Sequence, residues 1–229
     1  MGKLNQNEEA EQLYREALDI FHQLAQKNPD AFEPDLATSC NNLAILLSKL
    51  NQKENAEQLY REALDIRRRL TQKNLSSFEP DLAESCNNLA VLLRELNHKE
   101  DAEQLHREAL EIRRQLTQKN PATFEPDLAT SCNNLANLLN DLNQKEEAEK
   151  LHREALGIRR RLVQKNPATF EPDLADSCFN LALSQFNVKH DKEAAKALFQ
   201  EALSIYEKYP HLAAKAQQVR DILVKHFEV

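Results

Sequence analysis

The sequence predicts an all-α solenoid, a stack of antiparallel helix pairs, and three observations carry that prediction. First, the chain repeats itself. Ala56 to Asp101 laid over Ala102 to Glu147 keeps 34 of 46 residues, and the same phrase opens at Ala10, at Ala148 and, more loosely, at Ala195. Second, apolar residues within each copy return at helical spacing rather than in alternation. Third, two glycines and 29% charged residues suit continuous solvated helices better than sheet or disorder. A fixed period of this size marks supersecondary units that cannot bury their apolar faces alone and therefore stack.

Taken in order, the chain opens with half a unit. Met1 to Gln6 matches only the tail of an A helix, so a lone B helix is expected over about 8–27, one neighbour short, as in a piece cut from a longer array. With its following loop it fills residues 1–34, and four units follow at 35–80, 81–126, 127–172 and 173–209. In the first, Asp35 is the expected N-cap after Phe32-Glu33-Pro34, and Asp81 with Glu84 forms a capping-box candidate in the second. The A helix then carries Leu36, Cys40, Leu43, Ala44 and Leu47 to about residue 50, where Asn51-Gln52 breaks it. A B helix over about 54–72 presents Ala56, Leu59, Tyr60, Ala63, Ile66 and Leu70.

Asn74 ends that helix, and Asn28-Pro29, Asn120-Pro121 and Asn166-Pro167 end its counterparts, since proline cannot continue a helix. A longer proline-containing loop is expected next, pinned by the phenylalanine that recurs as Phe32, Phe78, Phe124 and Phe170. The last unit carries one extra residue between Phe186 and Lys189. After Pro210, the stripe Leu212, Ala216, Val219, Leu223 and Phe227 suits a terminal capping helix over 210–229.

Composition narrows the function. With 37 acidic against 30 basic residues, a general phosphate-backbone binder is disfavoured. No signal-peptide core and no membrane-length apolar run is present, which points to the cytoplasm. Cys40, Cys86, Cys132 and Cys178 lie one per unit, too far apart for a disulfide, and read as small buried hydrophobes. The histidines form no HExxH or similar ligand set, no glycine-rich phosphate loop exists, and no unique nucleophile stands out. We therefore expect no enzyme, no metal and no cofactor.

The residues also carry a resemblance. Cys40-x2-Leu43-Ala44-x2-Leu47, then Ala56-x3-Tyr60-x2-Ala63, reproduces every spacing of the tetratricopeptide pattern. The set recurs as Cys86, Leu89, Ala90, Leu93, Ala102, His106 and Ala109, and as Cys132, Leu135, Ala136, Leu139, Ala148, His152 and Ala155. Cysteine replaces the large aromatic, histidine replaces phenylalanine in two units, and the period is longer than usual. The NNLA phrase and long B helices most resemble repeats of the kinesin-light-chain type, and NPxxFxPDLA loops are similar to those of bacterial signalling proteins. The resemblance implies a right-handed superhelix whose A helices line a concave groove.

On that groove the A helices offer a second stripe: Thr38, Asn41, Asn42, Ile45, Ser48 and Lys49 in one unit. Its equivalents are Glu84, Asn87, Asn88, Val91, Arg94 and Glu95, then Thr130, Asn133, Asn134, Asn137, Asn140 and Asp141, with Asn180 in the last unit. A side-chain amide offers two donors and an acceptor, so a ladder of them can grip an extended peptide backbone. The second asparagine of each pair matches a ladder used this way in relatives. The competing reading is that the amides bond between adjacent A helices and set repeat spacing.

The runs Arg67-Arg68-Arg69, Arg113-Arg114 and Arg159-Arg160-Arg161 sit near B-helix C-termini, where the dipole favours cations. The pairs Glu57–Arg61, Asp65–Arg69 and Glu103–Arg107 add support at i,i+4. The expected function is a non-enzymatic scaffold binding a partner peptide or helix between its A helices. A second reading is a regulatory or self-assembling segment of a larger signalling protein, associating weakly through the exposed N-terminal helix. A third is nucleic-acid binding along the arginines.

Overall fold

The computed structural model describes the backbone of residues 2–73, 75–189 and 191–227, and the side chains of 7–73, 77–187 and 191–227. Asn74, expected to end a B helix, and His190 lie outside the described residues. Among the described residues there are ten α-helices and no strand. Helices α1 (Gly2–Lys27), α2 (Pro29–Lys49), α3 (Lys53–Lys73), α4 (Leu75–Glu95) and α5 (Lys99–Lys119) come first. They are followed by α6 (Pro121–Asp141), α7 (Lys145–Lys165), α8 (Pro167–Ser184), α9 (Lys192–Tyr206) and α10 (Ala213–Phe227). The chain divides into two compact units, one up to Leu116 and one from Thr117. In the first, α1 packs on α2, α2 on α3 and α3 on α4; in the second, α6 packs on α7, α7 on α8, α8 on α9 and α9 on α10.

Among the described residues, the loops expected between B and A helices are absent. Each A helix begins at once, with Pro29, Pro121 or Pro167 at its first position, where the missing N–H costs nothing and the fixed φ is already helical. The asparagine before it is the cap. Asn120 Oδ1 accepts from the Thr123 N–H and Asn166 Oδ1 from the Thr169 N–H, both at 3.4 Å. Asp35 and Asp81 are therefore helix-interior residues, not caps. Pro34, Pro80, Pro126 and Pro172 stand inside their helices, where a proline usually costs about 3 kcal/mol. The carbonyl that Pro34 leaves unbonded belongs to the first-turn residue Asp30, which is exposed, so water can serve it. The phenylalanines are half-buried first-turn residues of these helices rather than pins on a linker.

Between A and B helices the turn is as tight as the sequence suggests. Asn51, Asn97 and Asn143 adopt φ of 61, 65 and 60°, the left-handed conformation that closes a helix. The Asn51 N–H bonds the Ser48 carbonyl at 3.0 Å and the Gln52 N–H the Leu47 carbonyl at 2.9 Å, which satisfies the last turn. A β-branched residue cannot take this conformation cheaply. Asn97→Val is expected to lose about 1–2 kcal/mol in urea unfolding, whereas Asn97→Gly stays near the parent.

The extra residue of the last unit appears as a π-helical turn, Gln185–Lys189, between α8 and the Asp191 cap of α9. A π turn takes in one residue more than an α turn without breaking the packing on either side. Across the repeats, Cys40, Leu43, Ala44, Leu47 and Ala56 are completely buried, as are their equivalents in the following two units. The small side chains let the paired helices approach while Tyr60 fills the gap between them. At the C-terminal end Pro210–Leu212 forms a 3-10 turn, and α10 buries Ala216, Val219 and Leu223 against α9.

Candidate interaction surface

The paired asparagines divide into two classes. Asn41, Asn87 and Asn133 are buried, with 3 to 5% of their surface exposed, so the first of each pair does not lie on the open stripe. For Asn87 and Asn133 the reason is a partner on the B helix. Asn87 Oδ1 meets His106 Nδ1 at 2.8 Å, and Asn133 Oδ1 meets His152 Nδ1 at 3.0 Å. An amide oxygen can only accept, so the ring proton sits on Nδ1. His152 Nε2 is then free to accept from Asn140 Nδ2, at 3.5 Å. The Asn133 amide nitrogen donates to Ser177 Oγ at 2.8 Å, tying α6 to α8. Burial pushes both imidazoles down to about 4, so they are neutral. One sequence signal existed: in the last unit both partners change together, to Phe179 and Phe199, whose rings meet edge to face at 5.9 Å.

The second asparagines lie further out. Asn42 is exposed, and Asn88, Asn134 and Asn180 are half-buried. Asn88 Nδ2 donates to Asn41 Oδ1 at 3.0 Å, which is the helix-spacing bond, so at that site the structural reading holds. Val91 is 42% exposed, and Arg94, Asn137 and Asn140 are half-buried. The structure brings Asn88 and Val91 together with Ser48, Tyr60, Leu92 and Glu95 around a concavity of about 120 Å³ in the first unit.

In the second unit Asn180 borders a larger concavity, about 260 Å³, with Asp176, Phe179, Tyr206, Lys215 and Gln218. Asp176 accepts from the Tyr206 hydroxyl and from Lys215, each at 2.6 Å, and the Lys215 ammonium lies 5.7 Å from the Tyr206 ring centre. Tyr206 of α9 and Lys215 and Gln218 of α10 escaped the sequence reading because only the fold brings these residues beside Asn180 of α8. The half-buried Phe179 ring, two amides and a balanced ion pair suit a short peptide segment: the ring takes a side chain and the amides its backbone.

The runs Arg67–Arg69 and Arg159–Arg161 are committed to neighbouring helices. Arg67 is 4% exposed, and its Nη1 donates to the Asp81 carbonyl and to Ser85 Oγ, both at 2.8 Å. Arg68 pairs with Glu108 at 2.6 Å and Arg69 with Glu33 at 2.9 Å. Arg69 thus reaches a different carboxylate from the expected Asp65, whereas Glu57–Arg61 and Glu103–Arg107 pair as expected, at 2.7 and 2.8 Å. In the second unit Arg159 donates to the Asp173 carbonyl and Thr130, Arg160 to Glu201, and Arg161 to Glu125. The helix dipole is a minor part of this. The first arginine clamps one unit to the next A helix, and the cations a phosphate ridge would use already have partners.

The four cysteines are free thiols and fully buried. Burial pushes Cys40, Cys86 and Cys178 up to about 12, which keeps their thiols protonated when nothing is bound to them. No described helix is long and apolar enough to cross a membrane.

Comparison with known proteins agrees with this architecture. Among solved structures, BtubC (BKLC) from P. vanneervenii is similar over 93% of this chain and 80% of its own, with 25% identity and a TM-score of 0.71. A kinesin-light-chain-like protein of Podosopora anserina with nearly identical repeats matches over 91% and 97%, at 20% identity and a TM-score of 0.61. The apo form of RapI matches over 93% and 69%, at 17% and 0.73. Comparison with the curated proteins finds no match. The tetratricopeptide repeat model matches residues 36–74, 82–121 and 128–168, together more than half of the sequence. With buried small residues at each matched spacing, the chain belongs to the tetratricopeptide repeat family.

Proposed function

We propose that this protein is a non-enzymatic scaffold that binds a peptide or helix of a partner protein along its A helices. The family and the fold support a protein-interaction scaffold in general. The observation that carries the finer reading is the concavity at Asn180, where the Phe179 ring and the amides Asn180 of α8 and Gln218 of α10 converge. Asn134 and Asn180 hold the same repeat position on α6 and α8 and form the amide row of the second unit. A peptide selected from a displayed library against the intact chain provides the probe. Asn134→Ala with Asn180→Ala is expected to weaken its binding at least about tenfold, the loss of one to two hydrogen bonds, with unfolding unchanged. Asn133→Ala, by contrast, should lower stability because it orphans His152 and Ser177. Equal affinity in the first double variant would remove the groove reading.

One observation favours self-assembly as a second reading. Leu13, Tyr14 and Ile20 of α1 are 60, 39 and 56% exposed, whereas Tyr60 and Ile66, at the equivalent positions of α3, are 5 and 3% exposed. Light scattering that grows with concentration, and falls back in Ile20→Glu, supports this route; a constant monomer mass removes it.

A further inference from the structure

We propose that His22, Cys40 and Glu62 form a zinc-binding site that staples α1, α2 and α3. One ligand atom from each, an imidazole nitrogen, the thiol sulfur and a carboxylate oxygen, lie within 4.8 Å of one another. Imidazole, thiolate and carboxylate are the donor set zinc takes in tetrahedral sites, at about 2.0–2.3 Å per ligand. Modest side-chain closure brings the three onto one ion. His22 Nε2 and Glu62 Oε1 are already 3.4 Å apart and both side chains are more than a third exposed, so the ion enters between them. Cys40, fully buried, forms the floor. Thiolate and carboxylate charges cancel the two positive charges of the metal. The thiol proton leaves to solvent as the metal–sulfur bond forms, and the fourth position falls to water.

The repeat itself supplies the argument that this arrangement is specific. A cysteine on the A helix and a glutamate on the B helix recur as Cys86 with Glu108 and Cys178 with Glu201. There the third side chain is an arginine: Arg68 bonds Glu108 at 2.6 Å and Arg160 bonds Glu201 at 2.7 Å. Guanidinium cannot ligate a metal, because it has no free lone pair at any accessible pH. Only the first of these clusters exchanges the cation for imidazole, and with that single change an ion-pair site becomes a ligand set. Sequence spacing concealed it, since the three residues come from three helices, 18 and 22 residues apart. Arg67 is anchored to Asp81 and Ser85 on α4.

The test uses the intact, reduced chain and Co²⁺ as the probe, since it takes zinc sites and reports thiolate ligation by a charge-transfer band in the near ultraviolet. We expect one Co²⁺ per chain at micromolar concentration, displaced by Zn²⁺, and a zinc-dependent rise in melting temperature. Cys40→Ser should abolish the band. His22→Arg restores the ion pair of the other units, so it should fold normally and bind no metal. Absence of a stoichiometric band overturns the site, as does a band that survives either substitution. The peptide-binding reading is independent of all these outcomes.

Discussion

Acidification from about pH 7 to about pH 4 is expected to destabilise this protein steeply, with His106 and His152 as the cause. Each imidazole is neutral in the fold and held down to about 4, against about 6.5 in the unfolded chain. Between those values the unfolded state binds the proton and the folded state does not. Stability from each pair is thus complete above about pH 6.5 and is lost as the pH falls through about 4. A shift of this size corresponds to about 3 kcal/mol per histidine, a large share of the stability of a small domain.

The chain contains its own control. In the first unit the same position is Tyr60, also buried, and a phenol does not take up a proton in acid. His106→Tyr with His152→Tyr should therefore flatten the pH dependence in a site that Tyr60 shows can bury a tyrosine. Urea unfolding followed by circular dichroism every half pH step measures it. If parent and variant curves run parallel between about pH 6.5 and 4, the buried neutral imidazoles are not the cause.

The parts of this protein visible in its sequence are those fixed by short-range rules. The period, the tight asparagine turns and the apolar face of each helix follow from neighbours three and four residues away. Prolines misled for the same reason. Asn-Pro marks an end of one helix, but one-residue spacing to the next start is a property of stacking, and the second proline is tolerated only because its lost bond lies in an exposed first turn. Asn41 and Arg67 misled more deeply. Each sits beside an apolar stripe, where a helical wheel leaves it at the boundary between core and solvent. Its burial is decided by a partner on another helix, 14 to 19 residues away in the paired cases of Arg67–Asp81 and Asn87–His106. The groove residues divide accordingly: the first asparagines went inward, the second outward.

The arginine runs make that distinction measurable, because three adjacent cations of one helix should differ sharply in worth. Arg67 and Arg159 are buried; Arg67 donates to the Asp81 carbonyl and Ser85 hydroxyl of the following A helix, and Arg159 to the Asp173 carbonyl of the following A helix and the Thr130 hydroxyl of the preceding one. Their loss removes the donor that serves the buried Ser85 hydroxyl or the Asp173 carbonyl and with it a charge-assisted clamp between helices, so Arg67→Met or Arg159→Met is expected to cost about 2–4 kcal/mol. Methionine retains the packing of the stem, which isolates the polar contribution. Arg68 is 42% and Arg69 54% exposed at the side chain, and each faces a single carboxylate. Substituting either should cost less than about 1 kcal/mol, and less still in high salt. Chemical unfolding of the four single variants at two salt concentrations decides the matter. Equal costs across Arg67, Arg68 and Arg69 would mean that the helix dipole, which all three share, governs the run rather than the clamp.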